Sequence, residues 1–186
     1  MRVDPGSGVL DAAQLRLSPN CDARPAGEQI DLLVLHGISL PPGEFAGPWI
    51  DALFTNTLDC TAHPYFTQLI GVQVSAHLLI RRDGALIQYV PFHHRAWHAG
   101  ESCFEGRTRC NDFSIGIELE GADDTPYSDA QYQALSQVIP ALRRAYPQIT
   151  LPRIVGHSDI APGRKTDPGP AFDWPRLRAE LARIAV

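Results

Sequence analysis

The stretch VSAHLLIRRDGALIQYVP, residues 74–91, constrains the fold more than any other part of the chain. Two β-rich runs flank Asp83-Gly84, a dipeptide suited to the positive-φ positions of a hairpin turn, so an antiparallel strand pair is expected. Other runs extend the pattern. IDLLVLHGIS, residues 30–39, is apolar over the length of a strand and reads as buried from Leu32 to Leu35, with His36 at its C-terminal end. FSIGIELEG reads as a further strand, and RIVGH as a short one. Between them lie helical signals. WIDALFTN suits a short helix. Ser128 with Gln131 three residues later forms a capping-box signature, and Tyr132, Leu135, Val138, Ile139 and Leu142 recur at helical spacing up to about Tyr146. Pro140 should kink that helix, because its ring removes one hydrogen bond and crowds the preceding turn. DWPRLRAELARIA reads as a terminal helix that tolerates Pro175 in its first turn. Interleaving of this kind predicts an α/β fold: a single domain spanning 1–186, with its core at about 28–184 and a central mixed β-sheet flanked by helices.

The segment GHSDIAPGRKTDPGP, residues 156–170, is unsuited to helix or strand, yet it gathers a histidine, two aspartates, an arginine and a lysine. His36 and His157 both close strands. If those strands are neighbours, their imidazoles meet, and a carboxylate would complete the three-ligand set of a catalytic zinc site with its fourth position open. Spacing leaves the carboxylate undecided between Asp159 and Asp167, since a ten-residue loop folds back at little extra cost. Asp159 also suits a turn that bonds nearby amides. Lys165 lies two residues before Asp167, so in extended chain both side chains project the same way. It is the only lysine in the sequence. In SIGIELEG, alternation puts Gly116, Glu118 and Glu120 on one face and Ile115, Ile117 and Leu119 on the other. A glutamate so flanked is either solvent-facing or partly desolvated, and desolvation would raise its pKa toward that of a useful base. The region 92–112 has no period and is rich in polar and aromatic groups, which suits an ordered functional loop. In it Trp97, with His93, His94 and His98 nearby, could stack on sugar or peptide; the rival is a core tryptophan among surface histidines.

With 186 residues the chain can bury a core without metal or disulfide staples, so any metal serves chemistry. A formal charge of -5 opposes a nucleic-acid footprint. No apolar stretch is long enough for a membrane span or for the central region of a signal peptide, which makes a cytoplasmic location the expectation. The four cysteines, Cys21, Cys60, Cys103 and Cys110, form no C-x-x-C pair and are expected as free thiols, with a Cys103–Cys110 bridge only in an exported protein.

The segments LVLHGISLPPGEF, VSAHLLIRRDGALIQYVP, RAWHAGESCFEGRTRCNDFSIGIELEG and IVGHSDIAPGRKTDPGPAFDW together resemble the AmpD type of N-acetylmuramoyl-L-alanine amidase over nearly the whole chain, in order. The resemblance implies a cytoplasmic, monomeric zinc hydrolase of peptidoglycan recycling, with the fold of lysozyme-like amidases and peptidoglycan recognition proteins. It assigns Zn2+ to His36, His157 and Asp167, assistance of the attacking water to Glu118, and stabilisation of the oxyanion to Lys165. Arg109 and Trp97 fall in its substrate wall, with Tyr65 in HPYF as a further binding residue. The partner implied is an anhydro-muramyl peptide, with no nucleic acid and no membrane. Gly37 departs from the asparagine usual at that position, which removes one polar contact to substrate. Alternatives in other classes are a non-catalytic receptor for peptidoglycan fragments and an exported amidase acting on intact murein. With no strand ladder in the 156–170 loop, ligand bonds to the metal are expected to anchor it.

Overall fold

The computed structural model describes residues 1–184. Its strands are β1 (Gln14–Leu15), β2 (Cys21–Ala23), β3 (Leu32–Ile38), β4 (Leu78–Ile80), β5 (Leu86–Gln88), β6 (His94–Ala96), β7 (Cys103–Phe104), β8 (Arg107–Thr108), β9 (Ser114–Glu120) and β10 (Ile154–Gly156). The helices are α1 (Trp49–Phe54), α2 (Asp129–Ala145), the single turn α3 (His157–Ile160) and α4 (Trp174–Arg183). Six strands form one mixed sheet in the order β1-β5-β4-β9-β3-β10. β4 and β5 run antiparallel, while β9 pairs parallel with β4 and β3, and β3 parallel with β10.

Both faces of this sheet are covered, which explains why β3 and β9 are apolar almost throughout. Leu33, Leu35, Ile115, Ile117 and Leu119 pack against Leu135, Val138, Ile139 and Leu142 of α2 and Leu177 and Leu181 of α4. On the other face, Leu79, Ile87 and Tyr89 meet Ile50, Leu53 and Phe54 of α1, and Leu32 and Val34 meet Ala99, Cys110 and Phe113. The capping box forms: Ser128 Oγ accepts from Gln131 N, and the Gln131 side chain accepts from Ser128 N. α2 continues through the buried Pro140 to Ala145. Asp173 caps α4 by accepting from Arg176 N, with Pro175 in the first turn; the expected extension to Ala185 lies outside the described residues.

Three expectations need correction. β3 does not stop at Leu35: it runs to Ile38, because its parallel partner β9 offers a ladder as far as Glu120. His36 is thus inside the strand. In the β4–β5 turn only Gly84 has positive φ, and Gly84 N donates to Arg81 O while Arg81 N donates to Ala85 O. This is a type I turn closed by a left-handed glycine, so Asp83 keeps an ordinary conformation and accepts from Ala85 N. The 92–112 region is more regular than its polarity suggests: β6 pairs with β2, and β7 and β8 form a tight hairpin with Glu105 and Gly106 at positive φ.

Candidate active site

Parallel pairing builds the site. Gly156, the last residue of β10, lies opposite Leu35 of β3, so His157, which opens α3, comes beside His36. Glu118 of β9 lies directly opposite His36. All three therefore stand within two residues of the C-terminal ends of parallel strands, the side of an open sheet on which ligands usually bind.

His36 Nδ1 and His157 Nδ1 are 3.0 Å apart, and Asp167 Oδ2 lies 3.2 Å from the first and 3.1 Å from the second. Both histidines are buried. Asp167, and not Asp159, completes this group: Asp159 Oδ2 accepts from Gly156 N at 2.7 Å and caps α3. Beside any ligand bonds to a metal, the loop between them has backbone anchors of its own. Ser158 N donates to Asp167 O, and Arg164 N and Lys165 N both donate to Ala161 O. Two imidazole nitrogens and one carboxylate oxygen can hold a metal ion here. Bonds of about 2.0–2.2 Å to one centre, as zinc makes, would put the ligand atoms roughly 3.3 Å from one another, close to the separations found.

Electrostatics separates the two acidic groups. Burial alone would push the Asp167 carboxyl up, but its close contacts with His157 and His36 reverse this and hold it below the usual carboxylate range. Glu118 is pushed well above the usual range by burial first and by the Asp167 charge second, with Lys165 opposing. Its Oε2 is buried without a hydrogen-bond partner. Burial lowers His36 to about 4, which keeps the imidazole neutral and its lone pair available.

A cleft of about 180 Å³ opens above the triad, and Trp97, Glu118, Lys165 and Asp167 are among its walls. Trp97 is fixed at its backbone, where its N–H donates to Ser75 Oγ and its carbonyl accepts from Ser75 N. Arg109 stands elsewhere. It has left-handed φ, is largely exposed, pairs with Asp112 and lines a neighbouring groove with Gly100 and Arg164. Tyr65 sits on the 3-10 turn Pro64–Leu69, packed beside the α1 core, and is not among the residues lining the triad cleft. At Gly37 an added Cβ would overlap the Tyr127 hydroxyl, which donates to Pro168 O at 2.9 Å. His98, read from sequence as part of a stacking loop, is buried behind the triad with Nδ1 2.9 Å from His36 Nε2. Nothing in its sequence neighbourhood marks that role.

The profile of the N-acetylmuramoyl-L-alanine amidase family matches residues 26–170. This chain belongs to that family. Among curated members of the amidase family, the 1,6-anhydro-N-acetylmuramyl-L-alanine amidase AmpD of Salmonella typhimurium (strain SL1344) is 61% identical over 178 residues, which cover 96% of this chain and 95% of the relative. A solved amidase, the crystal structure of a Se-Met AmpD derivative, superposes with a TM-score of 0.94 at 60% identity, covering 97% of this chain and 99% of that one. The Escherichia coli amidase AmiD, solved in complex with the substrate anhydro-N-acetylmuramic acid-L-Ala-D-gamma-Glu-L-Lys, aligns with a TM-score of 0.61 at 30% identity, over 84% of this chain and 60% of that one. The amidase activity and the mixed-sheet fold expected from the sequence stand with this membership. The four cysteines are free thiols, and among the described residues no helix is long and apolar enough to cross a membrane.

Proposed function

We propose that this chain is a zinc hydrolase that cleaves the amide between the lactyl group of anhydro-N-acetylmuramic acid and the L-alanine of a soluble stem peptide, in cytoplasmic recycling of peptidoglycan. The observation that carries this is one cleft in which His36, His157 and Asp167 converge beside a buried, unpartnered Glu118. Likeness to relatives named for that amide, and to an amidase solved with an anhydro-muramyl peptide, supports the substrate class.

When bound at the triad, zinc supplies Lewis acidity that polarises the amide carbonyl and acidifies water at neutral pH. Glu118, raised in basicity by burial, takes the proton of the attacking water and returns it to the L-alanine nitrogen, so that a carboxylic acid and a free amine leave. Lys165, on the cleft wall, faces the negative charge that develops on the carbonyl oxygen, a contribution of about 3 kcal/mol for one well-placed donor. Trp97 presents an aromatic wall on which the sugar or the peptide stacks. Arg109, from the adjoining groove, reaches the distal part of the stem peptide, and Tyr65, packed beside α1, is the further binding residue.

Incubation of purified protein with anhydro-muramyl tripeptide should release free stem peptide. Dialysis against a chelator should abolish the release, and added zinc should restore it. Full turnover by protein shown to be metal-free would sink the metal reading. Turnover of polymeric murein at a rate equal to that on the soluble fragment would sink the recycling assignment.

A further inference from the structure

The reaction as derived leaves unexplained a set of polar groups beside the triad, contributed by His98, Ala99, Asn111 and Ser114. Their hydrogen-bond directions can be worked out from the metal-binding atoms backward. For His36 to offer Nδ1 to a metal, its ring proton must sit on Nε2, which lies 2.9 Å from His98 Nδ1. Two facing nitrogens share one proton, so His98 Nδ1 is the acceptor and the proton of His98 is on Nε2. That nitrogen is 3.1 Å from Ser114 Oγ, and the Ser114 hydroxyl spends its own proton on Cys110 O at 2.6 Å. Every donor in this chain meets an acceptor, and the chain ends on a carbonyl. Reversed, it would place a proton on His36 Nδ1 and take the Ser114 hydroxyl away from Cys110 O.

His157 is set by the next residue. Its Nε2 lies 3.1 Å from Ala99 O, and a carbonyl only accepts, so Nε2 carries the proton and Nδ1 is left bare. Arg164 Nη2 donates to the same carbonyl and to Glu101 O, which fixes its direction. One side chain clamps the backbone of both supports: Asn111 Oδ1 accepts from His98 N at 3.1 Å and from Ala99 N at 2.8 Å. On the sheet side the His98 ring occupies the space in which a Cβ at position 116 would stand, so Gly116 is what admits it.

We infer that the dipeptide His98–Ala99 is a positioning element that holds both metal-binding imidazoles in the correct tautomer and orientation, His98 by its side chain and Ala99 by its carbonyl, with Asn111 and Gly116 seating the pair. It rests on the metal reading above. Partners of this kind govern affinity as well as orientation, because they fix which ring nitrogen is free.

The test is zinc affinity, by competition with a chromophoric chelator, with thermal unfolding of each metal-free variant as a check on folding. His98→Leu should bind zinc about 10–100-fold more weakly, while His98→Asn, whose Oδ1 replaces Nδ1 as acceptor, should stay within about threefold of wild type. Gly116→Ala keeps every polar group but displaces the ring, and should weaken binding as His98→Leu does. Wild type that holds no zinc overturns the metal reading itself. Wild type that binds, together with His98→Leu and Gly116→Ala binding equally well, overturns the inference alone. A long-range proton–nitrogen spectrum of zinc-loaded wild type needs no variant: His98 should carry its proton on Nε2, and a proton on Nδ1 would refute the proposed chain.

Discussion

Glu118 is held at a cost to the fold, and that cost can be measured. Its carboxylate is buried with one oxygen unpartnered, so its pKa in the folded protein lies well above the ordinary value of 4.5. Below the ordinary value both folded and unfolded chains carry the proton and no penalty exists. As pH rises, the unfolded chain ionises first, and stability is lost until the folded pKa is passed. Glu118→Gln removes the penalty. In chelator, the variant should unfold at a higher temperature than wild type near neutral pH, with the difference vanishing as pH falls through 4.5. On the proposed mechanism the same variant should lose about 10²–10⁴-fold in turnover while still binding zinc, since it would delete the base and spare the three residues that would hold the metal. For Lys165→Ala a fall of about 10²–10³-fold in kcat is expected, from loss of one donor to the developing oxyanion. Asp159 and Asp167 show where sequence spacing stops. Both are within reach of His157, and only the closed loop reveals that one satisfies the Gly156 amide while the other turns toward the imidazoles.

Among the elements, the hairpin and α2 were the most legible in the sequence, and they lock onto each other. Ser128 caps α2 and also donates its hydroxyl to Arg82 O in the β4–β5 turn at 2.5 Å. Gly84 has φ of 86°, and an added Cβ would press on Ala130 O at 3.1 Å. Gly84→Ala should therefore destabilise by about 1–2 kcal/mol, the cost of left-handed backbone for an L-residue, read as a shift of the urea midpoint at unchanged slope. These features could be read because they are local: a cap, a glycine turn, a helical period. β3 was read short because its last residues, His36 to Ile38, gain strand geometry from pairing with distant Glu118 to Glu120. The strands of 92–112 were missed for a related reason. β6 owes its order to β2, far upstream, and its Arg95 pairs with the carboxylates of Asp22 and Asp112 instead of lining an apolar face. Convergence of His36 and His157 was foreseeable once two neighbouring strands were supposed, whereas burial of His98 required knowing which loop covers which face.

Across the molecule, a buried ionic network ties the loop after β3 to the hairpin and α1. Arg81 bonds Glu120, Asp51 and the carbonyl of Gly47, and Glu120 also accepts from Ala46 N and Arg82 N. The Glu120 side chain is only 2% exposed. Arg81→Met strands that carboxylate and should cost about 3 kcal/mol or more in chemical denaturation, with Glu120→Gln in the same chain recovering part of the loss. The triad has a different dependence on the whole. His36 sits within the sheet, but His157 follows β10, an edge strand that pairs only with β3, and Asp167 comes ten residues later. Synthesis proceeds from the N-terminus, so a nascent polypeptide with most of its sheet and all of α2 outside the ribosome still lacks two of the three triad residues. Capture of an ion by these three residues would then be a closing event, and its dissociation would be felt first at the sheet's outermost rung, where the cation would act as a rivet.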